Sequence, residues 1–148
     1  METLQVTKEN ALKAHKEAND KGKSLLENLF GKKTFQADVT KRVFTVQDAC
    51  EDTGDDYSTL YDNCKDEYEK AEVSIKVFAK AMRQGQPENK CFYYPYFYGS
   101  GGGFSCRGYY NDLVYAFVGS RLRVFTPEQA AHMGKCLVEE YKTYLGRN

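Results

Sequence analysis

Tryptophan is absent from this 148-residue chain, and histidine and proline are scarce, with two and three residues. Two histidines alone do not make a zinc site, which usually takes three or four protein ligands. The formal net charge is +0, so no overall field draws the chain to nucleic acid or to an anionic membrane. No apolar run is long enough to span a bilayer, and the N-terminus METLQVTKEN lacks the basic and apolar regions of a secretory signal. These absences favour a cytoplasmic protein with no membrane segment.

Cysteine is present, but without the arrangement of a disulfide framework or a metal site. The number is odd, the spacing is wide, and no Cys-x-x-Cys pair occurs. This pattern predicts reduced thiols in a reducing compartment. The five cysteines are Cys50, Cys64, Cys91, Cys106 and Cys136.

The first part of the chain is rich in charge and predicts helices. Thr7 is a suitable N-cap for a helix that runs to about Asp20. Ser24 followed by Glu27 has the spacing of a capping box for a second short helix, which Gly31 ends. Two helices are therefore expected before residue 32.

Two more helices are expected before residue 90. Thr45 precedes a short third helix that ends at Gly54. Apolar residues then recur at steps of three and four from Leu60 or Tyr61 to Met82, which is the strongest helical periodicity of the chain.

Residues 91–125 predict a small antiparallel β-meander. Pro95 cannot donate to a strand ladder, so it marks an edge strand, a bulge or a break. Gly119-Ser120 has the composition of a two-residue hairpin turn. The segments that predict strands are KCFYYPYFY, FSCRGYY, LVYAFV and RLRVF.

A final helix begins at Thr126-Pro127, where threonine is a capping residue and proline suits the first helical position. Helices, then a meander, then a helix packed over it define an α+β fold. We expect a single domain over residues 1–148, with a helical part at 1–90 and a sheet plus terminal helix at 91–148.

The motifs of catalysis, cofactor binding and metal binding are weak. The loop GSGGGF has Phe104 where a dinucleotide loop needs its third glycine, and a strand rather than a helix is expected to follow. His132 and Cys136 share a helix face but give only two ligands. We therefore predict no catalytic residue, no metal site and no cofactor.

Two further patterns could still carry catalysis. Cys91 or Cys106 could act as a nucleophile beside a histidine, although no local motif indicates it. Four carboxylates follow the third helix, but a solvated turn accounts for them; they are Glu51, Asp52, Asp55 and Asp56.

The aromatic segment is the strongest candidate for a functional site. Residues 91–118 hold 11 of the 21 aromatic residues, and their only charged residues are Arg107 and Asp112. Core packing would explain the rings, but tyrosine tolerates water and is enriched at interfaces. Nucleic acid is disfavoured because phosphate-driven binding needs basic residues. The predicted ligand- or partner-binding residues are Tyr93, Tyr94, Tyr96, Tyr98, Gly101, Gly102, Arg107, Tyr109 and Tyr110.

The chain resembles a family of small uncharacterised proteins encoded by Bacteroidales bacteria, their phages and other mobile elements. The resemblance covers most of the chain, except that residues 55–70 depart from it, and it brings no assigned activity. It implies a phage or mobile-element accessory protein in the cytoplasm of a bacterial host. The segments that carry it are VTKENALKAHKEANDKGKSLLENLFG, KRVFTVQDACEDTG, FYYPYF and GSRLRVFTPEQAAHMGKCLVEEYKTYL.

The sequence thus favours a non-enzymatic binding protein that acts on a host protein through an aromatic, glycine-rich surface. One alternative is a counter-defence protein that sequesters a small cyclic nucleotide, with rings stacked on bases and Arg107 near phosphate. Another is a structural or assembly protein that binds its own copies.

Overall fold

The computed structural model describes residues 5–84, 91–99, 103–113 and 122–146. The chain divides into two compact units, Met1–Arg42 and Val43–Asn148. The division falls after Arg42 and not near residue 90, where the expected helical part ends. The expectation of a single domain over 1–148 stays a prediction.

The first unit is helical, with α1 (Lys8–Glu17), α2 (Asp20–Phe30), α3 (Lys32–Phe35) and a 3-10 turn (Val39–Lys41). Thr7 caps α1 as predicted, since its side chain accepts a hydrogen bond from the Asn10 amide. The capping box at Ser24 was wrong. Asn19 caps α2 instead, because its side chain accepts from the Gly22 amide and the helix begins four residues earlier.

The second unit contains α4 (Val46–Thr53), α5 (Glu67–Arg83), α6 (Pro127–Cys136) and α7 (Val138–Tyr144). Thr45 caps α4 in a full capping box, and Gly54 ends it in the left-handed conformation. Both assignments confirm the sequence prediction. A short 3-10 turn, Tyr57–Thr59, connects toward α5.

In the second unit, two helix boundaries differ from the prediction. The long helix begins at Glu67, after Asp66, whose carboxylate accepts from the Glu69 amide; it does not begin near Leu60. The terminal helix is interrupted at Leu137, where φ is −116° and ψ is 35°, and therefore forms α6 and α7. Thr126 does cap α6, and Pro127 is its first residue.

The sheet is a two-stranded antiparallel hairpin of β1 (Cys91–Gly99) and β2 (Phe104–Leu113). The register shifts between Tyr96 and Phe97, so β2 has one extra residue opposite this step. Gly108 pairs with Tyr96 at this bulge and has a φ of 144°, which side chains rarely adopt.

The meander was predicted with more strands than the described residues show. The last predicted strand, RLRVF, is described from residue 122 onward. Residues 122–125 form no strand, and Val124 makes only an isolated bridge with Tyr93. The predicted strand after Leu113 and the turn Gly119-Ser120 lie outside the described residues. Helices on both sides of the hairpin in sequence confirm the α+β class.

The core of the second unit lies between α5, α6 and the segments beside them. Its largest fully buried side chains include Phe78, Ile75, Met82 and Met133. Gln129 is also buried, and both polar atoms of its amide are hydrogen-bonded: Nε2 donates to Met82 O at 2.7 Å, and Oε1 accepts from Phe125 N at 3.2 Å. One buried polar side chain thus joins the end of α5 to the start of α6. Among the described residues, no helix is both long and apolar enough to cross a membrane.

Candidate functional site

One face of the hairpin packs on the two C-terminal helices. Gly134 of α6 lies against Pro95 and Cys106, so closely that a Cβ atom there would approach both side chains within 3 Å. Phe97 contacts Tyr141 of α7, with ring centroids 4.6 Å apart. The residues Pro95, Phe97 and Cys106 therefore define the helix-facing side of the sheet.

The other face carries tyrosines, because side chains alternate along a strand. Tyr94, Tyr96 and Tyr98 alternate with the packed residues of β1, and Tyr110 pairs with Tyr94 across the hairpin. The rings of Tyr94 and Tyr110 are stacked, with centroids 6.2 Å apart and planes 21° apart. Tyr96, Tyr98 and Tyr110 are 49%, 50% and 59% exposed. We call Tyr94, Tyr96, Tyr98 and Tyr110 the tyrosine face.

The remaining predicted residues are placed differently. Tyr93 is half-buried, and its backbone exchanges two hydrogen bonds with Val124. Tyr109 pairs with Pro95 and meets the edge of the Tyr93 ring, yet it is half exposed. Arg107 is exposed at the bulge. Gly101 and Gly102 lie outside the described residues.

The sequence could not show this division of the tyrosines. It predicted an aromatic strand with rings on both faces, and the register shift and the packing of Gly134 decide which rings face α6. The described part of the predicted site is an aromatic surface on the hairpin, with Arg107 as the one cation among the predicted residues.

His132 and Cys136 are neighbours, but they are not arranged as a base and a nucleophile. His132 Nε2 lies 2.6 Å from Val43 O and 3.5 Å from Cys136 Sγ. A carbonyl only accepts, so Nε2 must donate its hydrogen and has no lone pair for the thiol proton. Burial raises the pKa of Cys136, with Asp48 adding to the effect. Both effects disfavour a reactive thiolate at this position.

The carboxylates after α4 are used in local structure. Asp55 pairs with Lys80 at 2.8 Å and accepts from the Thr53 hydroxyl at 2.6 Å. These hydrogen bonds lower the pKa of Asp55. Asp56 caps the 3-10 turn through Ser58, which lowers its pKa as well. A carboxylic acid poised for proton transfer near neutral pH has a raised pKa, so neither residue has that property.

Sequence reasoning missed a cleft in the second unit, which we call the α4–α7 cleft. Its volume is about 410 Å³. It lies where the start of α4, the turn after it and the α6–α7 junction meet, so no local motif could reveal it. Its lining residues are Phe44, Thr45, Val46, Gln47, Tyr57, Tyr61, Cys136, Leu137 and Glu140.

Metal binding has no support in the described ranges, where no group of three or more histidine, cysteine, aspartate or glutamate side chains could hold an ion. Comparisons with protein-family models, with curated proteins and with solved structures find no match to this chain. The case for a function therefore depends on the tyrosine face and on the cleft themselves.

Proposed function

We propose that this chain is a non-enzymatic binding protein that contacts a protein partner through the tyrosine face. The observation that carries the proposal is the exposure of Tyr96, Tyr98 and Tyr110, which are each about half accessible, whereas Pro95, Phe97 and Cys106 of the other face pack on α6 and α7. The resemblance noted in the sequence makes a host protein in a bacterial cytoplasm the expected partner.

The chemistry of these side chains suits a protein partner. A tyrosine ring supplies a large apolar area with few rotatable bonds, and its hydroxyl can form a hydrogen bond at the edge of the contact. The predicted site includes a single charged residue, Arg107, so its surface does not attract phosphate strongly. A partner surface with apolar groups and hydrogen-bond acceptors complements it best.

The size of the tyrosine face favours a foreign partner over a second copy of the chain. Tyr96, Tyr98 and Tyr110, each about half exposed, offer about 75–125 Å² apiece and the less exposed Tyr94 offers less, so the face supplies at most roughly 300–500 Å². Two such faces in a symmetric dimer would bury at most about 600–1,000 Å² in total, which is below the roughly 1,200–2,000 Å² of stable interfaces. A larger partner can also contact the surface around the hairpin.

Affinity capture with matched variants tests this proposal. The tagged chain and its Tyr96→Ser/Tyr98→Ser variant are used as baits in a Bacteroidales lysate, and captured proteins are identified by mass spectrometry. Tyr68→Ser is the control, because Tyr68 is similarly exposed, at 48%, but lies on α5. We expect that the wild type and the Tyr68→Ser control capture the same protein and that the double variant does not capture it.

Two results would replace the proposal by one of its alternatives. A cyclic nucleotide that raises the melting temperature of the wild type but not of an Arg107→Ala variant would indicate nucleotide sequestration. Concentration-dependent oligomers in sedimentation velocity that the double variant abolishes would indicate self-assembly. A capture profile that is identical for all three baits would contradict the role of the tyrosine face.

A further inference from the structure

The α4–α7 cleft combines aromatic walls with a carboxylate and is separate from the tyrosine face in its lining residues. Three rings line it, those of Phe44, Tyr57 and Tyr61. Its volume of about 410 Å³ is in the range of small-molecule sites, which is roughly 300–1,000 Å³.

The rings are held in different orientations. Tyr57 and Tyr61 meet edge to face, with centroids 6.2 Å apart and planes 78° apart. Phe44 meets His132 in the same manner, at 5.1 Å and 74°. Rings that are nearly perpendicular to each other can contact one rounded group from two sides, which a parallel stack does not allow.

Hydrogen bonds fix Tyr61 and use its hydroxyl. The Tyr61 hydroxyl lies 2.8 Å from Ser74 Oγ, and Ser74 Oγ donates to Lys70 O at 2.9 Å. Because the serine hydrogen goes to that carbonyl, the tyrosine must donate to the serine. The polar end of Tyr61 is therefore satisfied within the protein, and the ring is its remaining recognition element.

The charge in the cleft is negative. Glu140 is the one charged residue among its lining residues. The pKa of Tyr61 is raised mainly by burial, and Glu140 contributes to the same shift, as expected for a nearby carboxylate. Lys70, which interacts electrostatically with Tyr61, is paired with Glu67 at 2.7 Å. This field opposes an anionic ligand and favours a cation.

We infer that the α4–α7 cleft binds an organic ammonium group, of the methylated type found in choline and in trimethyllysine. A methylated ammonium is bulky, weakly hydrated and unable to form a tight metal-like coordination. The faces of Phe, Tyr and Trp rings attract such cations, and cages of aromatic residues are the usual protein site for them. The Glu140 carboxylate adds a direct charge interaction.

Titration with choline chloride, followed by NMR and calorimetry on the full chain, tests this inference. The matched probe is 3,3-dimethylbutan-1-ol, which has the shape of choline without the charge. We expect saturable choline binding, with affinity for the alcohol weaker by roughly two- to thirtyfold, the range of cation–π contributions. A peptide with trimethyllysine, compared with its unmethylated form, shows whether the group is accepted on a protein side chain.

Variants locate the binding. Tyr57→Leu and Glu140→Gln should each weaken choline binding by the same range, whereas Tyr96→Ser on the tyrosine face should leave it unchanged. Circular dichroism checks that each variant is folded. If Tyr57→Leu does not fold, the more conservative Glu140→Gln variant provides the test. Equal affinity for choline and for the alcohol, no saturable choline binding, or binding that survives both changes would overturn the inference.

Discussion

Gly134 of α6 and Pro95 of β1 are in direct contact, and a Cβ atom on residue 134 would lie 2.6 Å from Pro95 Cβ. The same atom would lie 2.5 Å from Cys106 Sγ. Real Cβ atoms do not approach other atoms so closely. The hairpin can therefore pack this closely on α6 only because Gly134 has no side chain. Since Pro95 and Cys106 are thereby covered, the opposite face of the hairpin, which carries the tyrosine face, is the more accessible one at this position.

Gly134→Ala should therefore destabilise the protein, although alanine is the better helix former. Overpacking costs roughly 1–3 kcal/mol, and the helix propensity of alanine returns up to about 1 kcal/mol. Chemical denaturation measures the difference. Because Cys106 contributes one of the two clashes, Gly134→Ala should cost less in a Cys106→Ala background. An unchanged or increased free energy of unfolding in the single variant would show that the contact is loose.

Tyr141 should tolerate the loss of its hydroxyl. Its side chain is buried against Phe97, and its hydroxyl has no hydrogen-bond partner among the described residues. Burial also raises its pKa, so the group stays neutral at ordinary pH. Since an unsatisfied buried hydroxyl costs about 1–3 kcal/mol, Tyr141→Phe should preserve or increase the free energy of unfolding. A decrease of more than about 1 kcal/mol would mean that the hydroxyl has a partner, such as an internal water.

Gln129→Leu, unlike Tyr141→Phe, should lower the free energy of unfolding. It leaves Met82 O and Phe125 N, which the Gln129 amide now satisfies, without these hydrogen bonds. The expected loss is about 1–3 kcal/mol for each group that stays buried and unpaired. Gln47→Ala is the control, because Gln47 is exposed, and should change stability by less than about 0.5 kcal/mol. Equal melting temperatures for the two variants would contradict this role of Gln129.

The Asp55–Lys80 pair should contribute stability only above acidic pH. Hydrogen bonds from Lys80 and Thr53 lower the pKa of Asp55 below 3.8, its ordinary value. A depressed folded-state pKa stabilises the folded state above the ordinary pKa, and this contribution disappears as pH falls through the folded-state value. The pair is partly exposed, so Asp55→Asn should cost less than about 1 kcal/mol at pH 7. Denaturation at pH 7 and at pH below 3 should show the difference shrinking; a constant or growing difference would contradict it.

Features set by neighbouring residues in the chain were predictable from the sequence. The caps Thr7, Thr45 and Thr126 are local, since each side chain accepts from an amide three residues later. The end of α4 at Gly54 was predictable as well, because glycine commonly ends a helix in the left-handed conformation. The start of α5 was missed because apolar spacing continued through residues 60–66, while Asp66 offered a competing cap that the periodicity concealed.

Features set by tertiary contacts were not predictable. The break at Leu137 has no glycine or proline to mark it. The aromatic segment identified the candidate surface, but the bulge opposite Tyr96 and the close approach of Gly134 determine which tyrosines are accessible. The α4–α7 cleft draws Phe44, Tyr57 and Glu140 from three separate segments, and none of them stands out in the sequence alone.

Site-specific photo-crosslinking tests the central claim, that the tyrosine face contacts a protein partner, most directly. The photoreactive residue p-benzoylphenylalanine replaces Tyr98 in one chain and Tyr68 in another, which are 50% and 48% exposed. Each purified chain is irradiated in a Bacteroidales lysate, and products are resolved by mass. We predict a discrete adduct with a foreign protein from position 98 and none from position 68. No adduct from position 98, the same adduct from both positions, or only crosslinks between copies of this chain would contradict the claim.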